Sequence, residues 1–169
     1  MKIRMIAGVC AVLVGVGISA RAEDGPNRIG AGVNYWTSLH NIDVHNVDSH
    51  GFGYVLSYQY KPGLVGIGID AEMLPDRFGQ DSYAPQAYLL LGGVIYAGAG
   101  IGIVYADDQF ANDPFFSFRA GLDLEVLPSI HLDIYGQYRF ESTQDLKNDS
   151  GKNIDTDTIF LGAAVRFAL

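Results

Sequence analysis

The sequence predicts an all-β protein of eight antiparallel strands, and three observations carry this prediction. Apolar and polar residues alternate with a period of two through repeated stretches of about 9 to 12 residues, as in strands with two different faces. The 169 residues include 21 glycines, ten tyrosines and nine phenylalanines, a composition typical of close-packed β-structure rather than of a helical bundle. The connections between these stretches are alternately short and long, which indicates an up-and-down order of strands.

The clearest alternation lies in residues 116–141, which we interpret as a β-hairpin with a single turn. Its apolar face carries Phe116, Phe118, Ala120, Leu122, Leu124, Val126, Ile130, Leu132, Ile134, Tyr138 and Phe140. Its polar face carries Ser117, Arg119, Asp123, Glu125, His131, Asp133, Tyr135, Gln137, Arg139 and Glu141. The polar face is too charged for an ordinary core, and the apolar face is too long for a water-exposed surface. The hairpin therefore needs either a partner sheet or lipid.

The remaining strands repeat this design, and the stretch 83–91 is the least regular of them. The predicted strands are 28–39, 51–61, 64–73, 83–91, 95–105, 116–126, 130–141 and 158–169. Tight turns at 62–63, 92–94 and 127–129 would lie on one rim, with long loops at 40–50, 74–82, 106–114 and 142–157 on the other. Apolar residues would face each other across each tight turn in the pairs Tyr60 with Val65, Leu91 with Ile95 and Val126 with Ile130.

Residues 1–22 have the composition of a secretory signal peptide. Lys2 and Arg4 precede an apolar run that is shorter than the roughly 20 residues of a spanning helix, and Ala20-Arg21-Ala22 resembles a cleavage site. Cleavage would leave residues 23–169 as one barrel domain without cysteine, because the single Cys10 leaves with the signal. Disulfides and thiolate metal sites are then excluded. The remaining 8 basic and 19 acidic residues give a net charge of −11, which argues against nucleic acid as a partner.

The distribution of the glycines indicates which face of the sheet meets lipid. Ten strand glycines share the polar face, whereas only Gly136 lies on the apolar face. On a water-exposed face these glycines would weaken the strands without benefit, but in a narrow lumen they make room for large side chains. The ten are Gly30, Gly32, Gly53, Gly66, Gly68, Gly98, Gly100, Gly102, Gly121 and Gly162. The charges therefore belong inside, and the predicted fold is an eight-stranded antiparallel up-and-down transmembrane β-barrel.

Tyrosines near the strand ends fit this fold, because aromatic side chains mark the two membrane interfaces of such barrels. The candidates for these girdles are Tyr35, Tyr60, Tyr83, Tyr105 and Tyr138.

These features resemble the small eight-stranded outer-membrane β-barrel proteins of Gram-negative bacteria, the porin-like group that includes OmpX, the OmpA membrane domain and the opacity-type proteins. The resemblance covers residues 28–169 and includes the final strand GAAVRFAL, which is similar to the family's assembly signal. The family usually ends in Phe, whereas this chain ends in Leu169 with Phe167 on the same face. The resemblance implies outer-membrane localisation, contact with lipid and lipopolysaccharide, and recognition of the last strand by the barrel-assembly machinery.

The ionisable residues of the polar face are the first candidates for chemistry. They are Lys61, Asp70, Glu72, Arg119, Asp123, Glu125, His131, Asp133, Arg139, Glu141 and Arg166. Mixed signs at cross-strand spacing neutralise a narrow interior, and we expect Arg119 and Arg139 to neutralise Asp123, Asp133 and Glu141 in a plug. Lipid-modifying enzymes of the family carry a His-x-Ser type pattern, whereas Leu132 and Asp133 follow His131. Ser117 should pair nearer Arg139 than His131, so we predict no catalytic residue.

The first long loop carries a small tandem repeat that sets His40, His45 and His50 beside Asp43 and Asp48. These are conceivable zinc or copper ligands, but a hydrated polar loop explains them equally and no cage-like spacing is present. The sequence therefore predicts no metal and no cofactor.

The sequence thus favours a non-enzymatic outer-membrane barrel of the cell envelope, whose loops contribute to envelope integrity, adhesion or contact with a surface ligand. A small-molecule conduit of the OmpW or porin-like kind is the alternative, although eight strands leave a lumen that side chains fill. A lipid-modifying enzyme is the third hypothesis.

Overall fold

The computed structural model of the chain describes residues 25–38, 50–75, 81–106, 109–111, 113–140 and 157–169. The strands are β1 (Asn27–Ser38), β2 (His50–Tyr60), β3 (Val65–Leu74), β4 (Ser82–Gly92), β5 (Ile95–Gly102), β6 (Tyr105–Ala106), β7 (Gln109–Phe110), β8 (Phe115–Leu127), β9 (Ile130–Phe140) and β10 (Thr158–Ala168). The described part of the chain contains no helix long and apolar enough to cross a membrane. The predicted signal peptide lies outside the described residues, as do His40, His45 and Glu141.

Eight of the strands close into one antiparallel barrel in the order β1, β2, β3, β4, β5, β8, β9, β10. Strands β1 and β10 pair with each other and close the ring. Their paired residues extend from Arg28 opposite Ala168 to Ser38 opposite Thr158. The short strands β6 and β7 form a small hairpin that extends β4 through the pair Tyr83 and Tyr105. The predicted all-β, eight-stranded antiparallel barrel is confirmed. Closure satisfies the backbone donors and acceptors that a sheet edge would leave unpaired.

The stagger of the strands fixes their tilt. Following paired residues once around the barrel leads from Tyr60 through Ile67, Leu89, Ala99, Phe118, Tyr138, Ile159 and Thr37 to His50. The path returns to β2 ten residues from its start. With about 3.3 Å per residue and about 4.8 Å between strands, eight strands with this stagger tilt by about 40°. Each residue then adds roughly 2.5 Å of height along the barrel axis.

The two faces have the polarity that the sequence predicts. Outward side chains such as Phe52 and Leu161 are 68% and 62% exposed, whereas inward Asp133 and Arg139 are fully buried. Strand β4 corrects one expectation, because its inward and outward positions alternate without a break from Ser82 to Leu91. The alternation is not visible in the sequence, because the inward positions of β4 carry both polar and apolar residues. They are Ser82, Ala84, Gln86, Tyr88 and Leu90.

For the three hairpins with tight turns, the sequence predicts the correct face of the paired residues but the wrong pairing partners. Tyr60 pairs with Ile67, and Leu91 pairs with Ala97, so both hairpins are displaced by two residues. Between β8 and β9 a bulge at 125–127 leaves Leu127 opposite Ile130. A two-residue shift keeps every side chain on its face, so the hydropathy pattern does not distinguish the registers of the first two hairpins.

Large rings inside the barrel lie over glycines of neighbouring strands. A Cβ atom at Gly68 would overlap the ring of Tyr88, and one at Gly162 would overlap the ring of Tyr135. The same holds for Gly121 under Tyr96, Gly102 under Phe115 and Gly51 under Trp36. Glycine is required at these positions for close approach, which confirms its predicted role as space for lumen side chains. By contrast, a Cβ at the outward Gly136 would meet its nearest neighbour, Leu161 Cδ2, at 3.8 Å.

This contrast supplies a matched test of the packing. Gly68→Ala should lower the free energy of unfolding by about 1 to 3 kcal/mol, because the added methyl group displaces the Tyr88 ring. Gly136→Ala should cost nothing measurable, because its methyl group has room on the lipid-facing surface. Urea midpoints of the folded, heat-modifiable form in detergent measure both effects. Equal losses for the two variants would contradict the packing described here.

Candidate functional site

The lumen is the only part of the described residues where ionisable side chains are buried together. It holds five basic residues, Arg28, Lys61, Arg119, Arg139 and Arg166, and four acidic residues, Asp70, Glu72, Asp123 and Asp133. Each of the four carboxylates lies within 2.5 to 2.9 Å of a cationic nitrogen. The interior is therefore almost neutral, although the whole chain is strongly acidic.

At the tight-turn mouth of the lumen, three basic groups surround Asp123. Arg28 Nη1 lies 2.5 Å and Lys61 Nζ lies 2.9 Å from Asp123 Oδ2, and His131 Nδ1 lies 3.0 Å from Oδ1. Lys61 Nζ also donates to the carbonyl oxygen of Gly93 at 2.8 Å. Lys61 follows β2 and Asp123 lies on β8, four strands away around the ring, so this ion pair joins opposite walls.

One level above this mouth, Arg166 and Asp133 form a second paired group. Arg166 Nη1 lies 2.5 Å from Asp133 Oδ2, and Arg166 Nε donates to Ser57 Oγ at 3.0 Å. The hydroxyl of Tyr96 donates to Asp133 Oδ1 at 2.8 Å. The two oxygens of Asp133 are thus each bonded, and strands β2, β5, β9 and β10 are linked at this level.

Arg119 occupies the centre of the lumen. Its guanidinium lies between the rings of Tyr88 and Tyr135, with 4.4 and 4.0 Å from Cζ to the two ring centres. Nη2 bonds to Asp70 Oδ2 at 2.8 Å and to Gln137 Oε1 at 2.7 Å, and Nη1 donates to the Tyr88 hydroxyl at 2.9 Å. A planar cation that stacks and donates at its edge suits this site better than a lysine would.

Arg139 repeats this arrangement nearer the long-loop rim. It lies between the rings of Phe115 and Phe160 at 4.0 and 4.3 Å, and its Nη2 is 2.5 Å from Glu72 Oε2. Arg139 on β9 and Glu72 on β3 stand four strands apart, on opposite walls of the ring. Glu72 Oε1 also accepts hydrogen bonds from Asn34 Nδ2 and Gln86 Nε2 at 3.3 and 3.1 Å.

The structure confirms the lumen position of most predicted residues but corrects their pairing. Arg119 and Arg139 neutralise Asp70 and Glu72 rather than Asp123 and Asp133. These partners come from strands that the hairpin pattern does not connect, so the alternating pattern contains no signal for them. Glu141 lies outside the described residues.

Two residues near the tight-turn mouth also differ from expectation. Glu125 is exposed. Strand β8 extends beyond the start of its neighbour β5 at Ile95, so no strand covers Glu125 on that side. Arg28 joins the Asp123 group although it was absent from the predicted set. Arg28 directly precedes the outward Ile29 and therefore lies on the lumen face. This alternation alone would have identified Arg28 as a lumen residue.

Among the described residues, the lumen provides paired charges but brings no serine and histidine together as a nucleophile and its base. His131 contacts Asp123, while Ser117 lies opposite Arg139 in the ladder. Arg139 and His131 are eight residues apart on β9, or about 26 Å along the strand, so Ser117 and His131 are far from each other. Within the described ranges, no three His, Cys, Asp or Glu side chains are grouped so that they could hold a metal ion.

A closed eight-stranded barrel with apolar side chains outside and paired charges inside is the architecture of a small transmembrane β-barrel protein. The chain has the fold of the small outer-membrane barrels of Gram-negative bacteria, because solved structures of two such proteins match it over most of its length.

Neisserial surface protein A matches this chain with a TM-score of 0.67 and 14% sequence identity, over 86% of this chain and 98% of that protein. The outer-membrane protein OprG from Pseudomonas aeruginosa matches with a TM-score of 0.52 and 13% identity, over 88% and 99% of the two chains. No family profile matches the sequence, and no curated protein matches it either. At these identities the likeness concerns the fold.

The lumen pairs predict a definite order of stabilities. Arg119→Met leaves Asp70 buried without its cation and should cost about 3 to 5 kcal/mol of unfolding free energy. Arg119→Lys should cost less, because it keeps the charge but loses the stacking between two rings.

Two control variants test the Asp123 group at the tight-turn mouth of the lumen. Lys61→Met should cost less than either Arg119 variant, because Asp123 keeps Arg28 and His131 as partners. His131→Gln should change little, since a hydrogen-bonding side chain is retained. Urea midpoints in detergent rank the four proteins, and a Lys61→Met variant as unstable as Arg119→Met would refute the assigned pairing.

Proposed function

We propose that this chain is a non-enzymatic integral protein of the bacterial outer membrane, whose closed barrel carries surface-exposed loops. The observation that supports the absence of catalysis most directly is the filled lumen. Its four carboxylates are each bonded to a cation, and its two central arginines are each held between two rings. These contacts support a fixed plug in which the described ionisable side chains are already paired.

The apolar outer face supports the membrane location. Large apolar side chains are exposed on all eight strands of the ring, among them Val33, Tyr54, Ile69, Leu89, Ile101, Phe118, Ile134 and Leu161. Soluble proteins rarely expose an apolar surface of this extent, whereas hydrocarbon would cover it favourably. The paired charges inside would then be shielded from lipid by the barrel wall.

The long connections are the parts of the chain suited to adhesion or surface contact. By sequence, the segments 39–49, 75–81, 103–114 and 141–157 contain twelve acidic and three basic residues. This composition favours water over lipid as the surroundings of these segments. Lipopolysaccharide is the neighbouring molecule of the outer leaflet, and the last strand would be recognised by the barrel-assembly machinery.

A small-molecule conduit is the second candidate, and the cross-lumen bonds weigh against it. The pairs Lys61 with Asp123 and Arg139 with Glu72 each join opposite walls. We therefore expect the purified wild-type protein to give no sustained open-channel current in planar bilayers, under conditions in which a general porin conducts. A stable wild-type current would favour the conduit instead.

The orientation of the barrel can be tested with single cysteines on intact cells. A cysteine at Phe110, near the long-loop rim, should react with a membrane-impermeant thiol reagent. Cysteines at Val44, Phe78 and Ser150, which lie outside the described residues, should react as well. Cysteines at Gly63, Gly93 and Ser129 should stay unlabelled. At Gly63 and Gly93 an added Cβ meets no atom closer than 3.7 Å, so these variants should fold. Labelling of the tight turns but not of Phe110 would reverse the orientation.

A further inference from the structure

The tight-turn rim of the barrel carries exposed aliphatic side chains where a water-facing turn would carry polar ones. Leu64 is 71% exposed, Val94 is 59% exposed and Leu127 is 59% exposed, and each lies in or directly beside one of the three tight turns. The neighbouring residues are also apolar, in the segments Pro62-Gly63-Leu64-Val65, Gly92-Gly93-Val94-Ile95 and Val126-Leu127-Pro128. Turns in water favour Asn, Asp, Ser and Gly instead, so this rim does not resemble a water-facing surface.

The turn side chains continue the outer belt without a polar interval. Val65 and Ile95, the first outward residues above two of the turns, are 54% and 74% exposed. Leu64 and the second turn are in contact range, since a Cβ at Gly93 would lie 3.7 Å from Leu64 Cδ2. The carbonyl oxygen of Leu64 accepts a hydrogen bond from Gly92 N at 2.7 Å. The apolar surface of the strands therefore passes directly onto the turns.

Charged groups near this rim are directed into the lumen. Lys61 immediately precedes the first turn, yet its side chain is 6% exposed and bonds to Asp123 and Gly93 inside the mouth. Glu125 occupies an inward position at the mouth, because it pairs with the buried His131 in the ladder. A lysine beside a water-facing turn would normally extend into solvent. Among the described residues, no charged side chain therefore lies on the outer surface of the rim.

The height of the belt leads to the same conclusion. Most outward aromatic residues lie toward the long-loop rim, where Tyr35, Phe52, Phe116 and Phe140 are exposed, whereas Tyr60 and Phe167 lie near the tight turns. From Phe116 to Val126 on β8, and from Ile130 to Phe140 on β9, the chain advances ten residues. At about 2.5 Å per residue this is about 25 Å, the height of the apolar band of a membrane barrel. A band that begins at the aromatic residues therefore ends at the tight turns.

We propose that the tight turns themselves are immersed in the membrane, so that lipid is the partner of the apolar rim formed by Leu64, Val94 and Leu127. Water reaches this end of the protein through the lumen mouth, where Glu125 and the Asp123 group lie, and not over the outer surface of the turns. The inference rests on the proposed membrane location and adds to it the depth of the barrel.

Depth measurements with nitroxide labels test this inference. Single cysteines are introduced at Leu64, Val94, Leu127, Phe118 and Glu125 in a Cys10→Ser background, labelled, and reconstituted into phospholipid vesicles. Collision with oxygen reports lipid, and collision with a water-soluble nickel chelate reports water. Glu125 is the matched control, because it lies at the same end of the barrel but faces the lumen mouth.

We expect labels at Leu64, Val94 and Leu127 to favour oxygen over the nickel chelate, as the label at Phe118 in the middle of the belt does. The label at Glu125 should show the opposite preference. Nickel accessibility at the three turns that equals that at Glu125, with Phe118 still in lipid, would overturn the inference alone. Nickel accessibility at Phe118 as well would overturn the membrane location and the inference together.

Discussion

Ion pairs that cross the lumen are the constraint on which the rest of this barrel depends. A charge surrounded by protein and lipid is costly unless a counter-charge and hydrogen bonds satisfy it. Arg139 on β9 and Glu72 on β3, like Lys61 and Asp123, meet from opposite walls of the ring. Such pairs form only when the strands have closed with the correct stagger. The interior thus favours one register of the whole barrel, although each hairpin alone tolerates shifts of two residues.

The glycines and the aromatic rings follow from the same constraint. A guanidinium in a narrow lumen needs flat partners on both sides, and Arg119 and Arg139 each lie between two rings. Three of these four rings lie where the neighbouring strand carries a glycine. Gly68 under Tyr88, Gly162 under Tyr135 and Gly102 under Phe115 provide the space for them. These three glycines are therefore part of how the buried arginines are packed.

The outer surface obeys a different requirement, because lipid selects for apolar area and height rather than for particular contacts. The stagger of ten residues sets the tilt, and the tilt sets how many residues cross the apolar band. This barrel uses the full length of β8 and β9 for that purpose. The apolar turns extend the lipid-facing surface to the end of the barrel, while the polar side chains near that end turn inward.

The sequence by itself determined the fold class, the strand count and the face of almost every side chain, because alternation with a period of two is a local property. It also indicated that the glycine-rich face is the inside. Only the tertiary structure decided which charges meet, since Arg119 reaches Asp70 and Arg139 reaches Glu72 from strands that no hairpin connects. It also placed Arg28 in the Asp123 group and left Glu125 exposed at the mouth. Those outcomes depend on ring closure and on the relative lengths of neighbouring strands, which an alternating pattern does not contain.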